Sequence, residues 1–282
     1  MKDHFLMLIL SFNVRGFRGA SKMLALKELF YSIKPDIIFL QETMVGNLRA
    51  KEAFFKLCPS WFCDAVDSDG NSGGLLSGWN PKLGCFEASK MSVGILLEGS
   101  VSCFPHSISL LNLYGPYKDR LHFWQGAGDS GVLKLDSLIL GGYLNFTLNA
   151  REVWGIKVIL DHQEDFFQNL FQEAGLVDLT PKPLRPMWRN GKAGEAGIAK
   201  RLDRFFLNDQ FLGEMFRSRH WTITSMISNH NPISLQLEGF RSLSKFPFKF
   251  NHAWLKESYF KLLVESCWLN FEQNCCNLVD YR

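Results

Sequence analysis

Residues 61–114 constrain the fold of this chain most, because turn signals cut that stretch at short intervals. Asp69-Gly70-Asn71, Gly73-Gly74, Asn80-Pro81 and Glu98-Gly99 each favour a reversal of the backbone. The apolar runs between them are too short for helices and read as a meander of antiparallel strands. Upstream the period changes. Residues 5–13 read as a buried strand. Residues 22–33 place apolar side chains at 23, 24, 26, 29, 30 and 33, which is a helical period. Pro35 closes that helix, residues 36–41 form a second buried strand, and 48–57 fit another helix. Downstream, 138–140 is a strand. Residues 161–173 form an amphipathic helix with Phe166, Phe167, Leu170 and Phe171 on one face. Late strands fall at 201–207 and 233–237. This mixture predicts an α/β chain of two packed mixed β-sheets flanked by helices, a four-layer sandwich. The 25 phenylalanines and 8 tryptophans suit so thick a core.

Residues 1–240 are expected to hold that domain. From 241 to 282 the character shifts. Phe246-Pro247-Phe248-Lys249-Phe250 reads as extended and aromatic, and 254–272 fit a helix carrying Trp254, Tyr259, Phe260 and Trp268. This tail reads as a linker and the helical start of a further region that is missing, or alternatively as a segment that folds back on the core. No run reaches the ~20 apolar residues that span a bilayer, and the six at 5–10 follow Asp3 without a cleavage site. The 7 cysteines are odd in number and irregularly spaced, so reduced thiols in an intracellular compartment are expected. A formal charge of +3 is too small to indicate a nucleic-acid partner. The local cluster Arg185, Arg189, Lys192, Lys200, Arg201 and Arg204 is more suggestive, although such a cluster also fits an ordinary solvated surface.

Several polar residues stand where strands end. Asn13 follows the first strand in Ser-Phe-Asn-Val-Arg-Gly, and Glu42 follows the second in Phe-Leu-Gln-Glu-Thr. A carboxylate at such a position suits a magnesium ligand, with an amide beside it to place water or phosphate. Tyr114 ends a strand before Gly115-Pro116, where its hydroxyl could reach a phosphate. Asn145 lies two residues past Tyr143. Asp203, in Lys-Arg-Leu-Asp-Arg-Phe, could fix the tautomer of His230, in Ser-Asn-His-Asn-Pro. Taken singly, each residue also fits a turn, a cap or a packed aromatic.

In order, these segments resemble the endonuclease/exonuclease/phosphatase superfamily, over roughly residues 5–240. That superfamily is DNase I-like and includes apurinic/apyrimidinic endonucleases. The motifs are most similar to the endonuclease domain of plant long interspersed (non-LTR) retrotransposons. Lys-Pro-Asp-Ile-Ile-Phe-Leu-Gln-Glu-Thr, Ser-Gly-Gly-Leu-Leu, Leu-Tyr-Gly-Pro, Gly-Leu-Val-Asp-Leu, Arg-Leu-Asp-Arg-Phe and the tail Phe-Pro-Phe-Lys-Phe carry the likeness. The resemblance implies Mg2+, or Mn2+, held weakly by Glu42 with Asn13. It implies phosphate contacts from Tyr114 and His230, Asp203 orienting His230, and Asn145 positioning the attacking water. Trp188, Asn190 and Arg201 would meet the substrate. DNA is the implied partner and no membrane is expected; no stable protein partner can be inferred, and the nucleus is the expected location if DNA is the substrate.

Two departures weaken the implied activity. Tyr143 stands where the pattern Gly-Asp-x-Asn has aspartate, and a phenol with a pKa of ~10 is a poor base at neutral pH. Asn229 stands where Ser-Asp-His has aspartate, which keeps the shape and loses the charge. A milder change puts Met187 before Trp188 where threonine is common. An impaired DNA endonuclease scaffold of retroelement origin is therefore the leading expectation. Two alternatives stand beside it. One is an active phosphodiesterase that tolerates both changes. The other is a non-catalytic nucleic-acid-binding or interaction module using Lys192, Lys200, Arg201 and Arg204.

Overall fold

Each strand along the middle of this protein is apolar on both faces because both faces are covered. In β1 (Leu6–Asn13), Met7 and Ile9 enter the core between two sheets, while Leu10 and Phe12 pack under helices. The structure is a computed structural model. It describes residues 6–238 apart from Asn71, Cys103, Lys157, Ile159 and residues 215–216, and residues 252–265 apart from Ser258 and Leu263.

In chain order, β1 leads to α1 (Ala20–Ile33), β2 (Ile37–Gln41) and α2 (Asn47–Leu57). The meander follows as β3 (Phe62–Asp69), β4 (Ser72–Trp79), β5 (Gly84–Lys90), β6 (Gly94–Val101) and β7 (Ile108–Tyr114). Next come α3 (Arg120–Asp129), β8 (Leu138–Tyr143), β9 (Val153–Trp154), α4 (Glu164–Glu173) and β10 (Leu176–Asp178). The domain closes with β11 (Trp188–Arg189), β12 (Ala199–Lys200), β13 (Asp203–Asn208), α5 (Asp209–Glu214), β14 (Arg217–Thr222) and β15 (Ile233–Glu238).

These strands form two six-stranded sheets, ordered β14-β15-β1-β2-β4-β3 and β10-β13-β8-β7-β6-β5, and a small third sheet, β11-β12-β9. The β1–β2 and β7–β8 pairs are parallel and the other pairs antiparallel. The meander is therefore divided, with β3 and β4 in one sheet and β5 to β7 in the other. Between the sheets lies a core that includes Ile9, Phe39, Leu97, Ile139 and Phe205. A second core places Trp124 of α3 and Phe167 and Phe171 of α4 on the second sheet, and a third places Leu26 and Phe30 of α1 and Phe54 of α2 on the first. Two packed mixed sheets flanked by helices are thus observed, as the sequence predicts. The α3 helix was not expected, since Gly126 and Gly128 lower its propensity. It forms because Trp124 is fully buried edge-on to Phe146, Phe167 and Phe171.

The cores change character toward one rim. Below it, Gln41 Nε2 donates to Asn112 Oδ1 of the other sheet at 2.8 Å and to Ser11 Oγ at 3.1 Å. Asn112 in turn donates to the Leu76 carbonyl and to Ser77 Oγ. These buried amides tie the two sheets together beneath the strand ends. Gly142 also belongs to this region. Its φ is +146°, and a Cβ there would lie 2.0 Å from the Leu113 carbonyl oxygen. Gly142→Ala is expected to cost about 2 kcal/mol or more through strain and overpacking. A lowered urea midpoint would show it, and an unchanged midpoint would mean that β7 and β8 are not this close.

The chain divides into two compact units, Met1–Arg241 and Ser242–Arg282. In the second, His252–Lys256 form a 3-10 helix and Trp254 packs on Phe260. The extended segment expected at 246–250, and the part of the expected helix beyond 265, lie outside the described residues. Among the described residues, Cys58, Cys63 and Cys85 are free thiols. No described helix is long and apolar enough to cross a membrane.

Candidate functional site

The parallel pairs β1–β2 and β7–β8 end at the same rim of the sandwich, and β13 and the loop before β15 begin there. This topology brings Asn13, Glu42, Tyr114, Tyr143, Asn145, Asp203 and His230 together from six separate segments. Glu42 stands one residue past β2 with a left-handed φ of +50°, which turns its side chain out of the strand. Its carbonyl accepts from Gly16 N at 2.7 Å, so the β1 and β2 loops hold each other.

Glu42 is enclosed by donors. Its Oε1 accepts from Asn13 Nδ2 at 2.9 Å, and its Oε2 faces Arg15 Nε at 3.5 Å. Asn13 Oδ1 accepts from the Arg15 amide. Tyr114 lies beside this carboxylate. Burial, and then the charge of Glu42, push its phenol up to about 12, so it stands as a neutral donor at neutral pH. Arg15 was not singled out from the sequence, although Asn13-Val14-Arg15-Gly16 places it one turn-residue from the site.

On the other side, His230 Nδ1 lies 2.9 Å from Asp203 Oδ2, and both side chains are buried. The carboxylate holds the ring in one orientation and puts the proton on Nδ1, so Nε2 is the free ring nitrogen. Trp188 supports this loop through an isolated bridge to His230. The pairing of Asp203 with His230 is as the sequence suggests.

Between these two halves stands Tyr143. It lies opposite both Tyr114 and Asp203 in the sheet register. Its ring stacks on Tyr114 at 5.4 Å and meets the His230 ring edge-on at 5.0 Å. Burial raises its pKa well above the ordinary phenol range, and the Asp203 charge raises it further. The protonated hydroxyl donates to Asn145 Oδ1 at 2.7 Å, while Asn145 Nδ2 donates to the Pro116 carbonyl at 2.9 Å. Both ends of the Asn145 amide are therefore engaged. Tyr143 fills the middle of the site, lacks base strength and occupies its neighbour.

Asn229 is used structurally. Its Nδ2 donates to the Arg189 carbonyl at 3.1 Å, and Arg189 N donates back to the Asn229 carbonyl at 3.1 Å. Asn190 folds its own loop, with Nδ2 on the Ala196 carbonyl and Oδ1 accepting from Lys192 N and Ile198 N. Its amide thus closes the loop that follows Trp188.

Arg201 requires a correction, and so does Arg204. Both are fully buried, at 1% and 0% exposure, and neither reaches a surface where a phosphate could lie. Arg201 grips Asp178 with two bonds of 2.6 Å and Glu152 with one of 2.7 Å. Arg204 binds the same two carboxylates. Burial opposes ionisation of both acids, but the two guanidinium groups outweigh it and hold Asp178 and Glu152 below the usual carboxylate range. Two cations and two anions cancel. The clue was Asp178 in Gly-Leu-Val-Asp-Leu, a lone acid in an apolar run.

His220 lies against this network, with Nδ1 on the Leu179 carbonyl. Burial, and then Arg201, lower its pKa to about 4, while Asp178 opposes them. The unfolded chain therefore takes up a proton near pH 6.5 that the folded one refuses until about pH 4. Stability should fall as pH drops through that window. The depressed carboxylates lose their contribution only at lower pH. His220→Phe should flatten the dependence of melting temperature on pH between 6.5 and 4.5, and an equal slope in both proteins would refute this assignment.

Magnesium is commonly held by one or two carboxylates, with water and substrate phosphate completing the shell. Glu42 offers one carboxylate, and the cation facing its Oε2 is half exposed and displaceable. Among the described residues, no three His, Cys, Asp or Glu side chains gather as a metal cluster. Glu42, with Asn13 hydrogen-bonded beside it, fits a divalent cation whose shell is completed by water and a substrate phosphate.

Two mixed sheets packed between helices are a fold that this chain shares with nucleases of known structure. The structure is similar to the AP endonuclease LMAP from Leishmania major at 16% identity and a TM-score of 0.67, covering 83% of this chain and 88% of that one. It is likewise similar to the endonuclease domain of TRAS1, a telomere-specific non-LTR retrotransposon, at 15% identity and a TM-score of 0.59, covering 84% and 100%. In sequence the chain is 25% identical over 278 residues to the Transposon TX1 uncharacterized 149 kDa protein of Xenopus laevis, 92% of this chain and 20% of that protein. It thus spans about a fifth of the length of that relative. No protein-family model matches the chain.

Proposed function

We propose that this chain is a DNA endonuclease scaffold of retroelement origin whose phosphodiester site is retained and whose hydrolytic step is impaired. The observation that carries this reading is Tyr143, which sits between Glu42 and His230 and holds the Asn145 amide. Tyr114 and His230 Nε2 would contact the phosphate, and Asp203 would keep His230 oriented. Glu42, with Asn13 behind it, would hold Mg2+ or Mn2+, which when bound would neutralise phosphate charge. What is lacking is a group to take a proton from water. Tyr143 cannot do so, and its hydroxyl holds the Asn145 Oδ1 that would help to place the water. DNA is the proposed substrate, and the nucleus is the proposed location on that ground alone.

Nicking of supercoiled plasmid in magnesium tests this reading. The chain should be nearly silent, and the Tyr143→Asp, Asn229→Asp double variant should nick. Equal nicking by both would favour an active phosphodiesterase that tolerates the substitutions. Silence from both, with DNA affinity intact, would favour a binding module.

A further inference from the structure

The wall of the site on the His230 side carries charge of one sign. Residues 180–194 contain Lys182, Arg185, Arg189 and Lys192, residues 217–231 contain Arg217 and Arg219, and neither segment has an Asp or Glu. The whole chain carries only +3, so everything outside these segments is net negative. The structure knits the two segments into one surface. Lys182 N donates to the His220 carbonyl, Arg189 N to the Asn229 carbonyl and Asn231 N to the Met187 carbonyl. Lys182, Arg185, Arg189, Lys192 and Arg219 are all exposed.

Two clefts open along this surface. One, of about 560 Å³, lies where the edge strands β10 and β14 of the two sheets meet, and is lined by Thr180, Lys182, Ser218, Arg219, His220 and Trp221. The other, of about 520 Å³, lies nearer the site and is lined by Arg185, Arg189, Thr222, Thr224, Ser228 and Asn229. Asp178 also borders the first cleft, but Arg201 and Arg204 neutralise it. Three buried polar atoms here have no partner, namely His220 Nε2, Thr222 Oγ1 and Asn229 Oδ1. With Nδ1–H donated to the Leu179 carbonyl, His220 Nε2 is an acceptor, as is Asn229 Oδ1. The surface therefore offers cations outside and acceptors within, beside the half-buried Trp221 ring.

Phosphates need the cations, while base and sugar N–H and O–H groups need the acceptors. A paired duplex hides its base donors, whereas a single strand exposes them and can stack on an indole. We propose that this surface is a track for single-stranded nucleic acid, leading one strand away from His230 over the β10–β14 edge. Phosphates lie along Arg189, Arg185, Lys182 and Arg219, and a base enters the cleft beside Trp221. The proposal rests on the phosphodiester reading of the neighbouring site.

The test is fluorescence anisotropy with a labelled single-stranded DNA 20-mer and a blunt duplex of the same sequence, across a potassium chloride series. The Lys182→Ala, Arg219→Ala double variant should lose about tenfold or more in single-strand affinity. Its log–log salt slope should fall by about 1.4, at ~0.7 per lost phosphate contact. Trp221→Ala should lose about 5- to 100-fold on the single strand, and much less on the duplex. Lys27→Ala, Lys56→Ala, on the helices α1 and α2, should bind as the unaltered chain does. If the double variant binds the single strand normally, or if duplex binding falls equally, the track is wrong while the site can stand. If the unaltered chain binds neither oligonucleotide at low salt, the nucleic-acid reading of the site falls with it.

Discussion

Tyr143→Asp combined with Asn229→Asp is expected to raise magnesium-dependent plasmid nicking by about 10²–10⁴-fold, the usual worth of a general base. Two changes act at once in the first substitution. It removes a neutral phenol from the centre of the site, and it releases Asn145 Oδ1 from the Tyr143 hydroxyl. Tyr143→Phe separates the two effects, because it frees Asn145 without adding a base, and should recover little. The new carboxylate would lie near Asp203 and Glu42, the charges already felt at this position. Like charges that close disfavour ionisation until a cation joins them. The double variant should therefore gain thermal stability as Mg2+ is added, and the unaltered chain should gain less. If both proteins respond equally to Mg2+ and nick equally, Tyr143 is not what limits this site.

Arg201→Ala is expected to cost about 3–5 kcal/mol, because it leaves buried carboxylates short of a cation. Asp178 would lose both of its 2.6 Å bonds to this guanidinium and share Arg204 with Glu152. Against a total stability of about 5–15 kcal/mol, that loss is large. Urea denaturation followed by circular dichroism would measure it. Arg201→Lys should recover only part, since an ammonium cannot reproduce the two-pronged contact. DNA affinity, corrected for the folded fraction, should stay the same. A variant of normal stability with weakened DNA binding would restore Arg201 to the substrate surface.

The fold was largely legible because its signals are local. Turn residues at 69–71, 73–74, 80–81 and 98–99 and the helical period at 22–33 each act through nearby backbone. The α3 helix was not legible, since its glycines argue against it and its reason to exist is Trp124 packing against residues distant in sequence. The division of the meander between two sheets was also hidden. Period-two patterning says which residues are buried, and it does not say against which sheet. At the site, Asn13, Glu42, Tyr114, Asp203 and His230 could be named because the short motifs around them, taken together and in order, resemble those of a known family. Arg201 was misplaced because a charged side chain beside a strand reads as exposed until its partners are known, and Glu152 lies 49 residues away.

Residue identity alone was enough to place a phenol and an amide at 143 and 229, neutral groups at two positions where the resemblance implies acids. Only the tertiary structure decided what those groups do instead. It pairs β7 with β8 and β8 with β13, which puts Tyr143 against Tyr114, His230 and Asn145, and it buries Arg201 and Arg204 on Glu152 and Asp178. It also joins residues 180–194 to 217–231 as one basic wall. The physical reason is range. Propensity and charge act through the residues at hand, whereas burial and hydrogen-bond partners depend on which distant strands the sheets bring side by side.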